Sequence, residues 1–227
     1  MENRPTREVV IPGQPLDGRG LRPGSGTYSE GGRIYAALLG IRDERSGTVN
    51  VIPLSGRYMP RPGDAVIGQI TDLGPGHWLL DINSPYPAPL HAVETPWRID
   101  YGDTASYLRI GDLVLAEVLT VDEIRRVQVT LNRDGLRKLE GGQLVQISYA
   151  KVPRVIGKKG SMVSLIKNYT RCRIFVGQNG CIWVDGEPQD AAVAVAAIRL
   201  IEQYAQAVGL TEAVHAFLQR KYEKRGG

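Results

Sequence analysis

Val155-Ile156-Gly157-Lys158-Lys159-Gly160-Ser161-Met162-Val163 is the stretch on which the reading of this chain turns. A pair of glycines, with Lys158 and Lys159 between them, stands inside an apolar frame. Val155 and Ile156 precede the pair. Met162, Val163, Leu165 and Ile166 follow it at the spacing of one helix face. The stretch therefore reads helix, tight glycine turn, helix. Glycine lets the backbone approach another molecule closely, because no Cβ stands in the way. The second helix opens with backbone N–H groups aimed at the turn, which favours an anion there. The lysines add positive charge, so a phosphodiester backbone suits the turn.

The flanking sequence extends the unit. Thr170 ends the second helix, and 172–176 alternates like a strand. Gly177-Gln178-Asn179-Gly180 is a turn, 181–184 a second strand, and Asp185-Gly186 another turn. Residues 191–207 form a long helix rich in alanine and aliphatics, and 143–149 reads as a first strand. The order is strand, helix, helix, strand, strand, helix. With the spacing Ile156-Gly-x-x-Gly-x-x-Val163-x-x-Ile166-x-x-x-Thr170-x-x-x-Ile174, it resembles the eukaryotic-type (type I) KH RNA-binding domain over about 141–207. The resemblance implies a glycine loop that clamps the nucleic-acid backbone while single-stranded bases lie in an apolar groove. Ile156, Val163 and Ile174 would floor or support that groove. Arg171-Cys172 departs from the Gly-Ala that the family often carries after the threonine.

Two other readings of the loop compete. A phosphate-binding NTPase loop needs Gly-x-x-x-x-Gly-Lys-Ser/Thr after a strand. Aligned on Gly157-Lys158, it would put Val152 at the first glycine and Lys159 at the hydroxyl position, so it fails. An ordinary corner between helices, with solvated lysines, accounts for the loop alone but not for the spacing and strand order together.

Charge supports the phosphate reading. The 227 residues carry a net charge of +4, unevenly spread. Residues 1–61 hold nine arginines against six acids, 62–140 are net acidic, and 141–227 hold twelve Lys and Arg against six acids. Residues 141–176 contain Lys151, Arg154, Lys158, Lys159, Lys167, Arg171 and Arg173 and no acid. This run coincides with the glycine loop and favours a phosphate-facing surface, with Arg154, Lys158, Lys159 and Lys167 its foremost candidates. The acidic middle argues against a chain that coats nucleic acid along its whole length.

The remaining composition sets bounds. No stretch approaches the roughly 20 apolar residues of a membrane span, and the Met-Glu-Asn-Arg start carries no apolar run. The expected location is the cytoplasm, with no membrane partner. Cys172 and Cys181 are the only cysteines; hairpin geometry sets Cys181 opposite about Val176, so two free thiols are expected. His77, His91 and His215 are scattered, and no Cys/His spacing suggests zinc. No cofactor is expected.

Taken in order, residues 1–8 are expected to be disordered. Val9-Val10-Ile11-Pro12-Gly13 is a short strand broken by proline. Residues 13–32 are expected to be loops. Residues 34–41 and 48–54 are expected strands joined by Arg42-Asp-Glu-Arg-Ser-Gly47. This small β domain, 1–61, buries little surface alone and should pack on a neighbour or partner chain. Beyond the turn at Arg61-Pro62-Gly63-Asp64, strands are expected at 65–73, 77–82, 90–93, 113–121 and 127–131. Five strands with an irregular stretch after the third fit an OB-type barrel over 62–138. After the KH-like unit, 208–227 holds a last helix capped by Thr211 and a frayed tail from Lys221. The fold class is thus multi-domain β and α+β.

Ile110-Gly111-Asp112-x-Val114-x-Ala116-x-Val118-x-x-Val121-Asp122, followed by Arg126-Val127-x-Val129-x-Leu131, resembles the OB-fold RNA-binding domain named after the first small-subunit ribosomal protein. That family stacks bases on exposed aromatics and a histidine. His91 matches the histidine, Trp78 lies near one aromatic position, and Leu73 replaces the other. Arg125 and Arg126, in the last hairpin, are candidate RNA contacts. Barrel packing and ordinary hairpin charge are the alternative roles of these residues.

A β domain, an OB-type barrel and a KH domain in one short chain, with Val10-Ile11-Pro12-Gly13 near the start, resemble the RNA-binding cap subunits of the archaeal exosome, the Rrp4 family. The resemblance implies a chain that is not itself the nuclease. Cap chains of that family sit on a ring of RNase PH-like subunits that degrade RNA phosphorolytically from the 3′ end. Implied partners are single-stranded RNA, the ring subunits, and further copies of the chain or a second type of cap subunit. Arg4, Arg7, Arg19, Arg22, Arg33, Arg42, Arg45, Arg57 and Arg61 suit docking, since Arg pairs well at interfaces. A free-standing RNA-binding or RNA-chaperone module related to translation is the alternative. A metal nuclease needs converging carboxylates. Asp112 and Glu117 point to opposite faces of a strand, and Asp122-Glu123 occupy a hairpin turn. The chain is expected to bind without catalysing.

Overall fold

Short strands and tight turns build the first of two units, Met1–Gly56. The computed structural model describes residues 8–16 and 20–223. The expected disorder at 1–8 and frayed tail from Lys221 lie outside them except at Glu8, which pairs with Arg42, and at 221–223, which are helical with Tyr222 packed on the core, so there both expectations are corrected. The strands are β1 (Val9–Val10), β2 (Arg22–Pro23), β3 (Thr27–Glu30), β4 (Arg33–Ala36), β5 (Gly40–Arg45) and β6 (Thr48–Pro53). Four of them make a sheet in the order β1-β5-β6-β2, and β3 pairs with β4. Val10, Leu16, Ile34, Ala36, Val49 and Val51 form the core.

Three expectations for this unit are corrected. Residues 13–32 are not all loop, since β2 and β3 lie there. β3 is mostly exposed and carries no apolar alternation, so its sequence gives no strand signal. The expected strand at 34–41 breaks into β4 and β5. The expected joining loop is mostly strand, because β5 runs to Arg45 and only Ser46-Gly47 turns, both at positive φ as a two-residue hairpin turn demands. Charges along β5 are paired, Arg42 with Glu8 and Glu44, and Arg45 with Asp43.

The second unit, Arg57–Gly227, holds a barrel and an α+β domain. Strands β7 (Ala65–Leu73), β8 (His77–Asp81), β9 (Ala88–His91), β10 (Leu113–Val121) and β11 (Val127–Thr130) close into the expected five-stranded OB-type barrel. All neighbours are antiparallel except β9 and β11. Val66, Ile70, Leu80, Val114, Ala116 and Val129 fill it. A further strand, β12 (Arg137–Leu139), extends the sheet beside β10.

The C-terminal part has the expected type I KH order. It comprises β13 (Gln143–Gln146), α1 (Val152–Ile156), α2 (Ser161–Thr170), β14 (Arg173–Val176), β15 (Cys181–Asp185) and α3 (Pro188–Gln203). The sheet is antiparallel, β13-β15-β14. Arg171, where the family often has glycine, takes the left-handed conformation that ends α2 (φ 55°), and Thr170 Oγ1 accepts from the Cys172 amide. A last helix, α4 (Leu210–Glu223), packs Val214 and Leu218 into the core. It starts at Leu210, so Thr211 lies within its first turn and is not its cap.

Barrel and KH domain share a seam. In β10, Val114 and Ala116 face the barrel interior, while Leu113 and Leu115 face outward. In β15, Ile182 and Val184 face the KH helices, while Cys181 and Trp183 face away from them. The outer faces meet: Ile67, Leu139, Cys181 and Trp183 are buried together, with Leu113, Leu115, Leu144 and Phe175 against them. Asn179, fully buried in the β14–β15 turn, locks the contact. Its Oδ1 accepts from Ile67 N (3.3 Å), and its Nδ2 donates to Ile67 O (2.8 Å) and Ile82 O (2.9 Å). Gln178 N donates to Ala65 O at 2.8 Å. A Cβ on Gly177 would stand 2.9 Å from Ile67 N, so only glycine permits this approach. Asn179→Ala strands three buried backbone groups, each costing about 1–3 kcal/mol when unpaired. We predict a loss of about 3 kcal/mol, seen as a lower urea midpoint at unchanged m-value. An unchanged midpoint would remove the lock.

Candidate nucleic-acid interface

The glycine loop is a run of left-handed backbone held between two helices. Gly157 (φ 74°), Lys159 (φ 53°) and Gly160 (φ 80°) all have positive φ. Lys159 in a left-handed conformation costs about 1–2 kcal/mol, so the surrounding structure imposes the shape. A Cβ on Gly157 would meet Met162 N and Cβ at 2.7 Å, so Gly157 is needed for α1 to close on α2. A Cβ on Gly160 meets nothing within 4 Å, so that position opens to solvent. Gly160 is also the N-cap of α2 and has no side chain to give. The first turn of α2 therefore stays open to an anion. Lys158 and Lys159 are exposed, and among the described residues neither has a carboxylate partner.

The sequence candidates of the KH domain gather around this loop. Arg154 is half-buried in the last turn of α1. Ile156 and Val163 are half-buried and pack on the core, leaving apolar surface beside the loop. Ile174 is buried at 2% exposure, so it supports this surface from beneath. Lys167 lies one turn beyond Val163 on the same face of α2.

The barrel candidates divide. Trp78 is corrected as a stacking platform. It is fully buried, with Nε1 donating to Leu108 O at 3.2 Å, and no base can reach it. Strand alternation explains the error, because neighbouring residues face opposite sides. His77, which the sequence reasoning missed, takes the outer face. It sits directly across from His91, with ring centroids 5.9 Å apart. Its ring covers Gly74, where a Cβ would stand 2.3 Å away. The signal was the strand period itself, since cross-strand partners share a face. Arg125 and Arg126 are exposed in the β10–β11 turn, held by Asp122, whose carboxylate accepts from Arg126 N at 2.7 Å. They do not join the histidines. Leu90 is level with Val129, which puts Arg126 roughly 13 Å along the strand from His91.

Asp112, Glu117 and the two cysteines are committed to structural roles. Burial opposes ionisation of Asp112, but Lys138 Nζ at 2.6 Å and the Arg109 amide outweigh it and hold the carboxyl below its ordinary value. Glu117 pairs with Arg133 at 2.6 Å. Burial, with Asp81 nearby, pushes the Cys181 thiol up to about 11, and burial also raises Cys172. Both are free thiols, and neither is a thiolate near neutral pH. Among the described residues no three His, Cys, Asp or Glu side chains are grouped to hold a metal. Of the proposed docking arginines, Arg4, Arg7 and Arg19 lie outside the described residues, and Arg42 and Arg45 are engaged in the pairs given above. No helix among the described residues is long and apolar enough to cross a membrane.

Three family models match the chain in sequence. They are the exosome RNA-binding protein RRP4 N-terminal domain at residues 7–55, the RRP4 S1 domain at 57–120, and a KH domain at 142–190. Exosome complex component Rrp4 of Thermoplasma acidophilum is 45% identical over 97% of this chain and 94% of its own length. That of Methanosarcina mazei is 41% identical over 96% and 84%. A crystal structure of an exosome complex RNA-binding protein superimposes with TM-score 0.68 at 38% identity, covering 75% of this chain and 99% of that one. The chain belongs to the Rrp4 family of exosome complex components.

Proposed function

We propose that this chain is the RNA-binding, non-catalytic cap of an exosome. It recruits single-stranded RNA and guides it to the pore of a ring of RNase PH-like subunits, which degrade it from the 3′ end. The observation that carries the reading is the open loop at 157–160. It offers two unpaired lysines and an uncapped helix start beside the apolar surface of Ile156 and Val163. Arg154, Lys167 and Ile174 complete that surface. On the barrel, His91 with His77 forms a second contact, and Arg125 and Arg126 a third.

The domains are assigned as 1–61 for docking on the ring, 62–138 for the barrel, 141–207 for the KH domain and 208–227 for the last helix and tail. In the first of these, Leu39 and Ile52 are exposed at the open end of the β5–β6 hairpin and suit a protein partner. Further copies of the chain, or a second type of cap subunit, share the ring. The reaction belongs to the ring. In this chain the acids Asp112 and Glu117 are paired with cations, and the thiols are buried. A cytoplasmic place of action follows from that partnership.

Two experiments test the reading. Gly160→Asp puts a carboxylate where the phosphate would lie, without a steric clash. It should weaken binding of single-stranded RNA at least about tenfold, since charge-assisted contacts are worth about 1.5–3 kcal/mol. The left-handed backbone at Gly160 (φ 80°) should lower the thermal midpoint by a few degrees. Gly160→Ala, which carries the same backbone strain without the carboxylate, should bind RNA more tightly than Gly160→Asp. Affinity should also fall steeply with salt as phosphate contacts release counterions. Unchanged affinity, or a flat salt response, refutes the loop's role. Second, the chain should co-elute with RNase PH-like ring subunits and, alone, leave labelled RNA intact with phosphate or Mg²⁺. Failure to join the ring returns the chain to a free-standing module, and degradation by the chain alone overturns its non-catalytic role.

A further inference from the structure

A cation on the barrel stands beside the KH domain's own cations. In β12, Leu139 is buried in the seam with Trp183, and strand alternation puts Arg137 on the same side. Lys138 points the other way, to Asp112. The Arg137 guanidinium lies over the Phe175 ring at 5.0 Å from its centroid. Lys167 Nζ reaches the same ring at 6.0 Å. Phe175 is half-buried on β14, the edge strand of the KH sheet, and stacks on Trp183 at 5.7 Å. Arg173 lies over Trp183 at 5.5 Å and pairs with Asp185. Among the described residues neither Arg137 nor Lys167 has a carboxylate partner, and Arg137 is exposed.

We propose that Arg137 extends the KH groove across the seam, so that one strand of RNA is held by both domains. The path starts at Gly160, runs past Val163 to Lys167 about 10 Å along α2, and passes Phe175 to Arg137. Arg137 supplies a planar fork for a phosphate, and the exposed part of Phe175 supplies an aromatic surface. Single-stranded RNA is the occupant because the row is cationic, uncompensated and interleaved with an aromatic ring. The competing role for Arg137 is a clip that only holds the domains together through the cation–π contact. This inference rests on the RNA-binding reading of the glycine loop.

The test uses the full chain with labelled oligoadenylates of about four nucleotides, which the KH groove alone can hold, and about twelve, which must run beyond it. Arg137→Gln should weaken the longer RNA about fivefold and lower the magnitude of its log–log salt slope by about 0.7, one phosphate contact on a single strand. The shorter RNA should bind as in wild type. Arg137→Lys should restore the slope. Arg137→Met keeps an apolar stem against Phe175 and should repeat the effect of Gln, which covers a failure of the Gln variant to fold. An unchanged slope and affinity for the longer RNA overturns the proposal. So does equal loss on both lengths, since Arg137 would then only support the groove. Gly160→Asp is measured alongside. If it too is silent, the loop reading has failed; if it weakens binding while Arg137→Gln does not, this inference alone falls.

Discussion

Asn179 acts as a one-residue strand. Its amide pairs with both the N–H and the C=O of Ile67, as a β-ladder residue would, and also takes the carbonyl of Ile82. Around it, an apolar outer face of the barrel lies against the outer face of the KH sheet. Apolar burial supplies the driving force, while the amide supplies the register. A contact made of Ile67, Leu139, Cys181 and Trp183 alone could slide; one with three directed hydrogen bonds cannot. Barrel and KH domain are therefore one body with fixed surfaces.

That fixity decides what the surfaces can do. The KH sheet spends one face on the helices and the other on the barrel, leaving its β14 edge and the α1–α2 side for a ligand. The glycine loop, its lysines and the apolar patch of Ile156 and Val163 lie there. The histidine pair occupies the far end of the barrel, roughly 20 Å along β7 from the seam at Ile67. On the proposed function, RNA would meet two separated contacts on a rigid frame, and a single strand long enough to touch both would gain effective concentration at the second.

Much of this was legible in the sequence where the determinants are local. The Gly-x-x-Gly spacing and the helix periodicity after it lie within a dozen or so residues, and the barrel strands show clean alternation. Trp78 was misassigned by one position because a slip of one residue moves a side chain to the other face of a strand. β3 and most of β5 were read as loop because polar, exposed strands carry no apolar period. The role of Asn179 was not legible, since its partners lie 112 and 97 residues away in the chain. One sign of the seam was present: Leu113-Val114-Leu115-Ala116 and Cys181-Ile182-Trp183-Val184 are apolar at every position, which marks strands buried on both faces. Two such strands in adjacent domains call for each other.

The central claim is that backbone and cations at 154–167 grip single-stranded RNA on a frame that does not cut it. The most direct measurement is a photo-crosslinking map of uncleaved single-stranded RNA on the full chain, read by mass spectrometry. The account predicts crosslinks in peptides spanning 154–167 and 77–91, and none at Trp78. Crosslinks confined to other surfaces, with 154–167 untouched, would contradict it.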